Sequence, residues 1–459
     1  MNRAAQEQLA ALAGVEALLN QRWPESRIDP TLERMAELMD ALGSPQRNYP
    51  AVHVAGTNGK TSVTRMVDAL LTRLQLRTGR TTSPHLQVVT ERISIDNAPI
   101  SPQRYVATYA DVAPFVDIVD ANSTARGAPS LSKFEVLTAM SFAAFAEAPV
   151  DVAVVEVGLG GTWDSTNVVD GQVAVITPIA IDHVEFLGAE LAGIAGEKAG
   201  IIKPGSVAVL AQQAPEVGEV LLRRAVEVDA AVAREGAEFT VLDRAVAVGG
   251  QLLTLQGLGA VYTDVFLPLH GAHQARNAVL ALAAVEAFFG AGPERALPAD
   301  TVRDAFASVT SPGRLERVRT APSVFLDAAH NPHGASALAV ALAEEFDFRK
   351  LVGVVAVMAD KDAAGVLAAL EPVLHEVVIT QSSSPRAMDT DELAGLAVAR
   401  FGDERVVVVD DLASALETAI ALAEEVGEQG ERVSGAGVVV TGSVVTAGEA
   451  RTLLGKQPA

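Results

Sequence analysis

With 459 residues the chain outgrows a single hydrophobic core, so two or three domains are expected. Asp and Glu total 57 against 35 Lys and Arg, and the resulting net charge of −22 argues against a nucleic-acid partner and an anionic membrane, which need a basic surface. Cysteine is absent, which excludes disulfides, thiolate metal sites and thiol nucleophiles.

The first segment, MNRAAQEQLAALAGVEALL, predicts an amphipathic helix without signal-peptide character. No apolar run approaches the ~20 residues of a membrane span, so a soluble, cytoplasmic protein is expected, with monomer as the default. Next, the strand-like AVHVA (51–55) runs into Gly56-Thr57-Asn58-Gly59-Lys60-Thr61-Ser62 and a helical TSVTRMVDALLTRL. Strand, glycine turn and helix N-terminus aim backbone N–H groups at an anion. Val54 stands where the longer phosphate-loop pattern has glycine, so the loop reads as the short G-x-x-G-K-T form.

Further strand candidates are DVAVVEV (151–157), QVAVITP (172–178) and SVAVLA (206–211), with helical patterns between them. Residues 236–268 read as short β pieces leading into the helix AHQARNAVLALAAVEAFF. Beyond Pro312-Gly313 come SVFLD (323–327), LVGVVAV (351–357), VVIT (377–380), RVVVV (405–409) and GVVVT (437–441), each separated by one helix length. The stretch 427–437 reads as a flexible loop. This alternation predicts an α/β protein: an N-terminal P-loop ATPase-type domain (1–310) around a mostly parallel sheet, and a C-terminal Rossmann-like domain (311–459).

Several side chains stand where chemistry gathers in such folds. Glu156 closes an apolar strand before a glycine cluster, where a carboxylate can ligate Mg²⁺ or pair with a cation. Seven of the eight histidines sit near glycine turns or strand ends, and His183 follows Asp182 directly after a strand. Lys198, Arg314 and Lys361 could each meet phosphate or carboxylate, or serve as solvated surface charges.

Taken in order, HVAGTNGKTS, TSPHL (82–86), ERI (91–93), FEVLT (134–138), EVGLGGTWDSTN, the His183 stretch, EKAGIIKPG, GAHQARNAVLAL, SPGRLE, DAAHNPHG (327–334), MADKD and VVVTGSVVTAGEAR resemble the folylpolyglutamate synthase family. That family includes bifunctional dihydrofolate synthases and belongs to the Mur ligase superfamily. The resemblance spans about residues 28–453. It implies an ATP-dependent amide ligase that phosphorylates a carboxylate of dihydropteroate or a folate, which L-glutamate then attacks. It further implies that residues Gly56 to Ser62 hold the ATP phosphates, with Lys60 on the β/γ side. Ser83, Glu156 and His183 match magnesium ligands, and Lys198 matches a lysine often carbamylated near a second Mg²⁺. Asn277 is expected at the adenine, Arg314 at the terminal phosphate, and Asp327 and His330 at the nucleotide, with His330 also near glutamate. Lys60, Lys198, Arg314 and His330 form the implied catalytic set. Phe134 and Asp164 lie in the pterin motifs, and Ser382 and Arg386 are candidates for glutamate contact.

Thr61 and Ala328 replace residues that are usually glycine in this family, and Lys133 stands at a commonly uncharged position, where it could meet an acidic folate tail or simply solvent. A Mur-type ligase acting on a UDP-linked precursor would require a further N-terminal domain of roughly 90 residues, where only about 50 precede the P-loop. A GTPase-like switch would carry NKxD, which is absent, and an inactive homologue would be expected to lose Lys60, Glu156 or Lys198, all of which are present.

Overall fold

The computed structural model describes all residues except 1–2, 26, 291, 293–294, 426–434 and 459. Most of the 427–437 stretch therefore lies outside the described residues.

The first sheet contains β1 (Ala51–Ala55), β2 (Thr78–Thr81), β3 (Ile93–Ile95), β4 (Ala98–Pro99), β5 (Val152–Glu156), β6 (Gly171–Ile176), β7 (Val207–Leu210) and β8 (Ala231–Arg234). Their order is β4-β3-β2-β5-β1-β6-β7-β8. Pairing is parallel from β2 through β8 and antiparallel only at the β2–β3–β4 edge. Every residue of β1 and β5 is buried, because helices cover both faces of the sheet. Val52 and Val54 point to one side, into a core shared with helices Lys60–Arg73 and Ala272–Phe288. Ala51, Ala153 and Val155 point to the other, against helix Lys133–Glu147.

A three-stranded antiparallel sheet follows: β9 (Thr240–Ala247), β10 (Gly250–Gln256) and β11 (Val261–Leu267), in the order β11-β10-β9. Leu253, Leu255, Val265 and Leu267 alternate inward and extend the first core.

A separate C-terminal α/β domain holds β12 (Glu316–Thr320), β13 (Ser323–Leu326), β14 (Lys350–Val355), β15 (Glu376–Gln381), β16 (Val406–Asp411) and β17 (Ala436–Thr441), ordered β12-β13-β17-β14-β15-β16. All its pairings are parallel except β12–β13. The last strand, β17, thus lies mid-sheet, and helix Val444–Leu453 leaves from its end.

Five strands lie outside the runs read from the sequence: β2 (TGRT), β3 (ISI), β4 (AP), β8 (AVAR) and β12 (ERVRT). β2 is held by charge: Arg80, 1% exposed, donates to Asp68 at 2.8 Å, and also to Asn97 and Ser94. Among the described residues, no helix is long and apolar enough to cross a membrane.

Candidate active site

The carboxyl ends of β1, β5 and β6 meet those of β13, β14 and β17, the position where ligands collect in open α/β sheets. A cavity of about 610 Å³ opens there. On its floor the loop after β1 turns through Gly59 at φ +91°, where an added Cβ would stand 2.7 Å from Asn277 Oδ1. Helix Lys60–Arg73 starts at once, so its first-turn N–H groups point into the cavity mouth, without intrahelical partners.

Hydrogen bonding divides the loop into two parts. The amides of Thr57 and Asn58 both donate to the Pro178 carbonyl, and Thr57 Oγ1 donates to the Ala180 carbonyl at 3.0 Å. Ser62 Oγ pairs with Ser311 Oγ at 3.2 Å. Thr57 and Asn58 therefore spend their amides on the scaffold, which moves the anion cradle toward Gly59–Thr61. Lys60 folds back onto the carbonyls of Gly56 and Thr57, both at 3.1 Å. Burial pushes its ammonium pKa down, opposed by the charges of Glu156 and Asp182.

Glu156, 2% exposed, faces this lysine. Burial raises its pKa, and the Lys60 charge and a 2.8 Å hydrogen bond from Thr61 Oγ1 to Oε1 counter the rise. Oε2 is buried without a partner. A buried anionic oxygen left unmatched in this way fits a divalent cation. His183 and Ser83 line the same cavity. Burial drives the His183 pKa down to about 4, which leaves a neutral imidazole able to ligate, and its backbone is left-handed at φ +52°. Among the described residues no group of three or more His, Asp or Glu side chains is arranged for a metal. A cation here would complete its shell from Ser83, phosphate oxygens and water, as Mg²⁺ commonly does. Lys198 lies deeper, 4% exposed, with burial and then the Lys60 charge lowering its pKa to about 7.

The C-terminal domain supplies the roof. Arg314 follows a turn that Glu316 Oε2 holds by accepting from Gly313 N at 2.9 Å. Asp327 accepts from the amides of Leu315 and Ala329, each at 2.8 Å, so both of its oxygens fix the loops beside Arg314 and His330. His330 Nδ1 donates to the Ala328 carbonyl at 2.9 Å, which turns Nε2 toward Asp182 at 3.5 Å. Asp182 is a hub that the sequence marks only as a neighbour of His183. It accepts Lys361 Nζ at 2.6 Å and Asn331 Nδ2 at 3.0 Å. Burial alone would raise its pKa, but the His330 hydrogen bond and the positive charge around it hold the carboxyl well below the usual range. Asn58 and Asn331 exchange amide hydrogen bonds at 3.1 and 3.2 Å, joining the P-loop to the second domain.

A second cavity, about 370 Å³, is walled by Trp23, Phe134, Trp163 and Phe186, with Arg386 and Lys361 at one side. The two cavities share Ser83, Pro84, Gly158, Leu159, His183, His330 and Val444, and so meet in a throat. Phe134 sits in the first turn of a helix capped by Ser132. Asp164 lines this cavity, yet its oxygens accept from the amides of Leu159 at 2.8 Å and Thr166 at 2.9 Å, so it shapes the loop. Ser382 lines neither cavity, and Arg386 is paired with Asp360 at 2.7 Å. Lys133 lines neither and donates to Asn20 at 2.8 Å.

Residues 54–285 match the Mur ligase middle domain, and residues 313–444 the glutamate ligase domain of Mur ligases. Dihydrofolate synthase/folylpolyglutamate synthase of Mycobacterium tuberculosis is 62% identical, across 98% of this chain and 96% of its own. The chain belongs to that family. The Bacillus subtilis member is 35% identical over 78% of this chain and 83% of its own. Among solved members, M. tuberculosis folylpolyglutamate synthase complexed with ADP and AMPPCP superposes with a TM-score of 0.94 at 61% identity, covering 98% of this chain and all of that one. The Escherichia coli relative, in complex with DHPP and ADP, gives 0.81 at 29% identity, with 96% and 97% covered. The family architecture, a mostly parallel central sheet with a separate C-terminal α/β sheet domain, is the one described above.

Proposed function

We propose that the chain joins L-glutamate to dihydropteroate, to folates, or to both, activating the acceptor carboxylate with ATP and releasing ADP and phosphate. The throat carries this reading. A P-loop cavity and an aromatic-walled cavity touch at a throat that holds Ser83, His183 and His330, the arrangement required to bring a γ-phosphate to a carboxylate.

A carboxylate is a poor electrophile. Its oxygen attacks the γ-phosphorus, the bond to ADP breaks, and the acyl phosphate formed has a good leaving group. The glutamate amine, freed of its proton, adds to the carbonyl carbon, and the tetrahedral adduct expels phosphate to leave the amide. Lys60 and Arg314 stabilise charge on the transferring oxygens from opposite domains. His330, its Nδ1 proton held by the Ala328 carbonyl and its Nε2 turned toward Asp182, stands at the throat, where it would meet the incoming glutamate. Phe134 and the tryptophans stack the pterin, and Asn277 holds the adenine. Mg²⁺ on Glu156, His183 and Ser83 would neutralise phosphate charge, and a carbamate on Lys198 would serve a second ion. With its pKa near 7, Lys198 offers the free amine that adds CO₂ at neutral pH.

We place the domain boundary at 310/311, and the chain acts as a cytoplasmic monomer. The test is phosphate release with ATP, Mg²⁺ and L-glutamate, supplying dihydropteroate or tetrahydrofolate in separate reactions and weighing the products. Glutamate gained by both acceptors assigns both activities, and gain by one assigns that half. No gain by either overturns the proposal.

A further inference from the structure

The motif VVVTGSVVTAGEAR has no place in the chemistry above, although the helix that carries it, Val444–Leu453, starts at the throat. Three of its residues grip three different loops. Gly448 packs on the segment after Ser83 so closely that a Cβ would fall 1.8 Å from the Leu86 carbonyl oxygen. Glu449 accepts from Ser383 N at 3.1 Å and from Ser383 Oγ, fixing the loop that ends in Arg386. Arg451, 6% exposed, donates from Nε to Glu316 Oε2 at 3.0 Å and from Nη1 to Gln87 Oε1. Gln87 is held again by its Nε2, which donates to Thr452 Oγ1 and to the Lys456 carbonyl, both at 3.0 Å.

Arg451 Nη1 also donates to the Gln457 carbonyl, and its two side-chain partners each lead to a residue of the site. Glu316 also accepts from Gly313 N and so fixes the turn that aims Arg314. Gln87 lies four positions after Ser83 on a segment stiffened by Glu91, whose carboxylate accepts from the amides of Leu86 at 2.7 Å and Val88 at 3.3 Å. One guanidinium thus spans the two domains and sets both a roof residue and a floor residue of the cavity. We propose that Arg451 is a positioning residue for ligation, holding the Ser83 segment and the Arg314 turn in one register. The inference rests on the ligase reading and on the roles given to Ser83 and Arg314. A lysine cannot replace it, because a single ammonium lacks the planar fork that reaches both partners.

The test compares the wild-type chain with Arg451→Met, Arg451→Lys, Gln87→Ala and the Arg451→Met/Gln87→Ala double variant, measuring kcat, KM for ATP and the melting temperature. Arg451→Met is expected to lower kcat about tenfold or more, with the KM for ATP nearly unchanged, because misplaced groups cost turnover more than binding. Arg451→Lys should fail to restore kcat. Gln87→Ala, which leaves the C-terminal core intact, should lower kcat several-fold without lowering the melting temperature. The double variant should be no slower than Arg451→Met, since the two side chains act as one unit. Wild-type kcat in Gln87→Ala, or losses that multiply in the double variant, would overturn the inference, and the Gln87→Ala result decides it even if Arg451→Met does not fold. Absence of glutamate addition by the wild-type chain would overturn the ligase reading and this inference together. Normal wild-type turnover alongside an unaffected Gln87→Ala would overturn this inference alone.

Discussion

Lys198 illustrates how burial writes chemistry into a single side chain. Its pKa falls from 10.5 in the open chain to about 7 in the fold, so between those values the unfolded chain binds a proton that the folded one lacks. Stability must therefore rise with pH across that window, and the burial penalty is complete below it. Lys198→Met should melt above wild type near pH ~6 in bicarbonate-free buffer, with the gap closing toward pH ~10, even as it loses ligase turnover. A gap independent of pH would mean that the lysine is not desolvated in solution. Glu156 is the complementary case. Its unpartnered Oε2 is needed only as an anion, so Glu156→Gln keeps the Thr61 hydrogen bond yet should lower kcat by about 100-fold or more. Turnover within a few-fold of wild type, measured at saturating Mg²⁺, would remove that role.

At the scale of the element, the loop between β1 and helix Lys60–Arg73 depends on one backbone conformation. Gly59→Ala would force a side chain to φ +91° and drive its Cβ against Asn277. Strain of about 1–3 kcal/mol is expected, together with loss of the melting-temperature rise that ATP gives the wild type. An undiminished ATP shift in this variant would show that the cradle lies elsewhere. The same scale shows what the sequence reveals. β1, β5, β6, β7 and strands β13 to β17 of the second domain are legible as apolar, mostly valine-rich runs because sheets covered on both faces need continuous apolar segments. β2 is not legible, because its stability comes from the buried Arg80–Asp68 pair, and the two partners stand on different elements. For the site, the ordered motifs point to the P-loop, Glu156, His183, Arg314 and His330, which the fold gathers around one cavity. Asp182 and Arg451 escape notice for a shared reason: each does its work by reaching across to the other domain, a relation no local spacing records. Ser382 is a polar loop residue near good candidates, and the end of its strand leaves it outside both cavities.

Across the whole molecule, several contacts join the two domains beside the site, and others join them away from it at Gln87–Arg451 and His270–Glu345. Beside the site, Lys361 and Asp182, each with its side chain 8% exposed, form an enclosed ion pair, and Asn58 with Asn331 adds a reciprocal amide pair. Lys361→Met leaves the Asp182 charge short of its cation, a loss of up to about 3 kcal/mol in the closed arrangement. The domains should then sit further apart on average, visible as a larger radius of gyration in small-angle scattering, with kcat reduced. In the wild type, ATP, Mg²⁺ and acceptor together should contract the scattering profile as the domains close over the acyl phosphate. Profiles unchanged by ligands and by Lys361→Met alike would count against a closing motion.

The throat between the two cavities also has a consequence for energy coupling. Because the nucleotide chamber and the acceptor chamber share only a narrow common wall, each can fill without the other, but phosphoryl transfer requires both to be full at once. The molecule therefore behaves as a logical conjunction. ATP alone should turn over slowly, and phosphate released should match amide formed one for one.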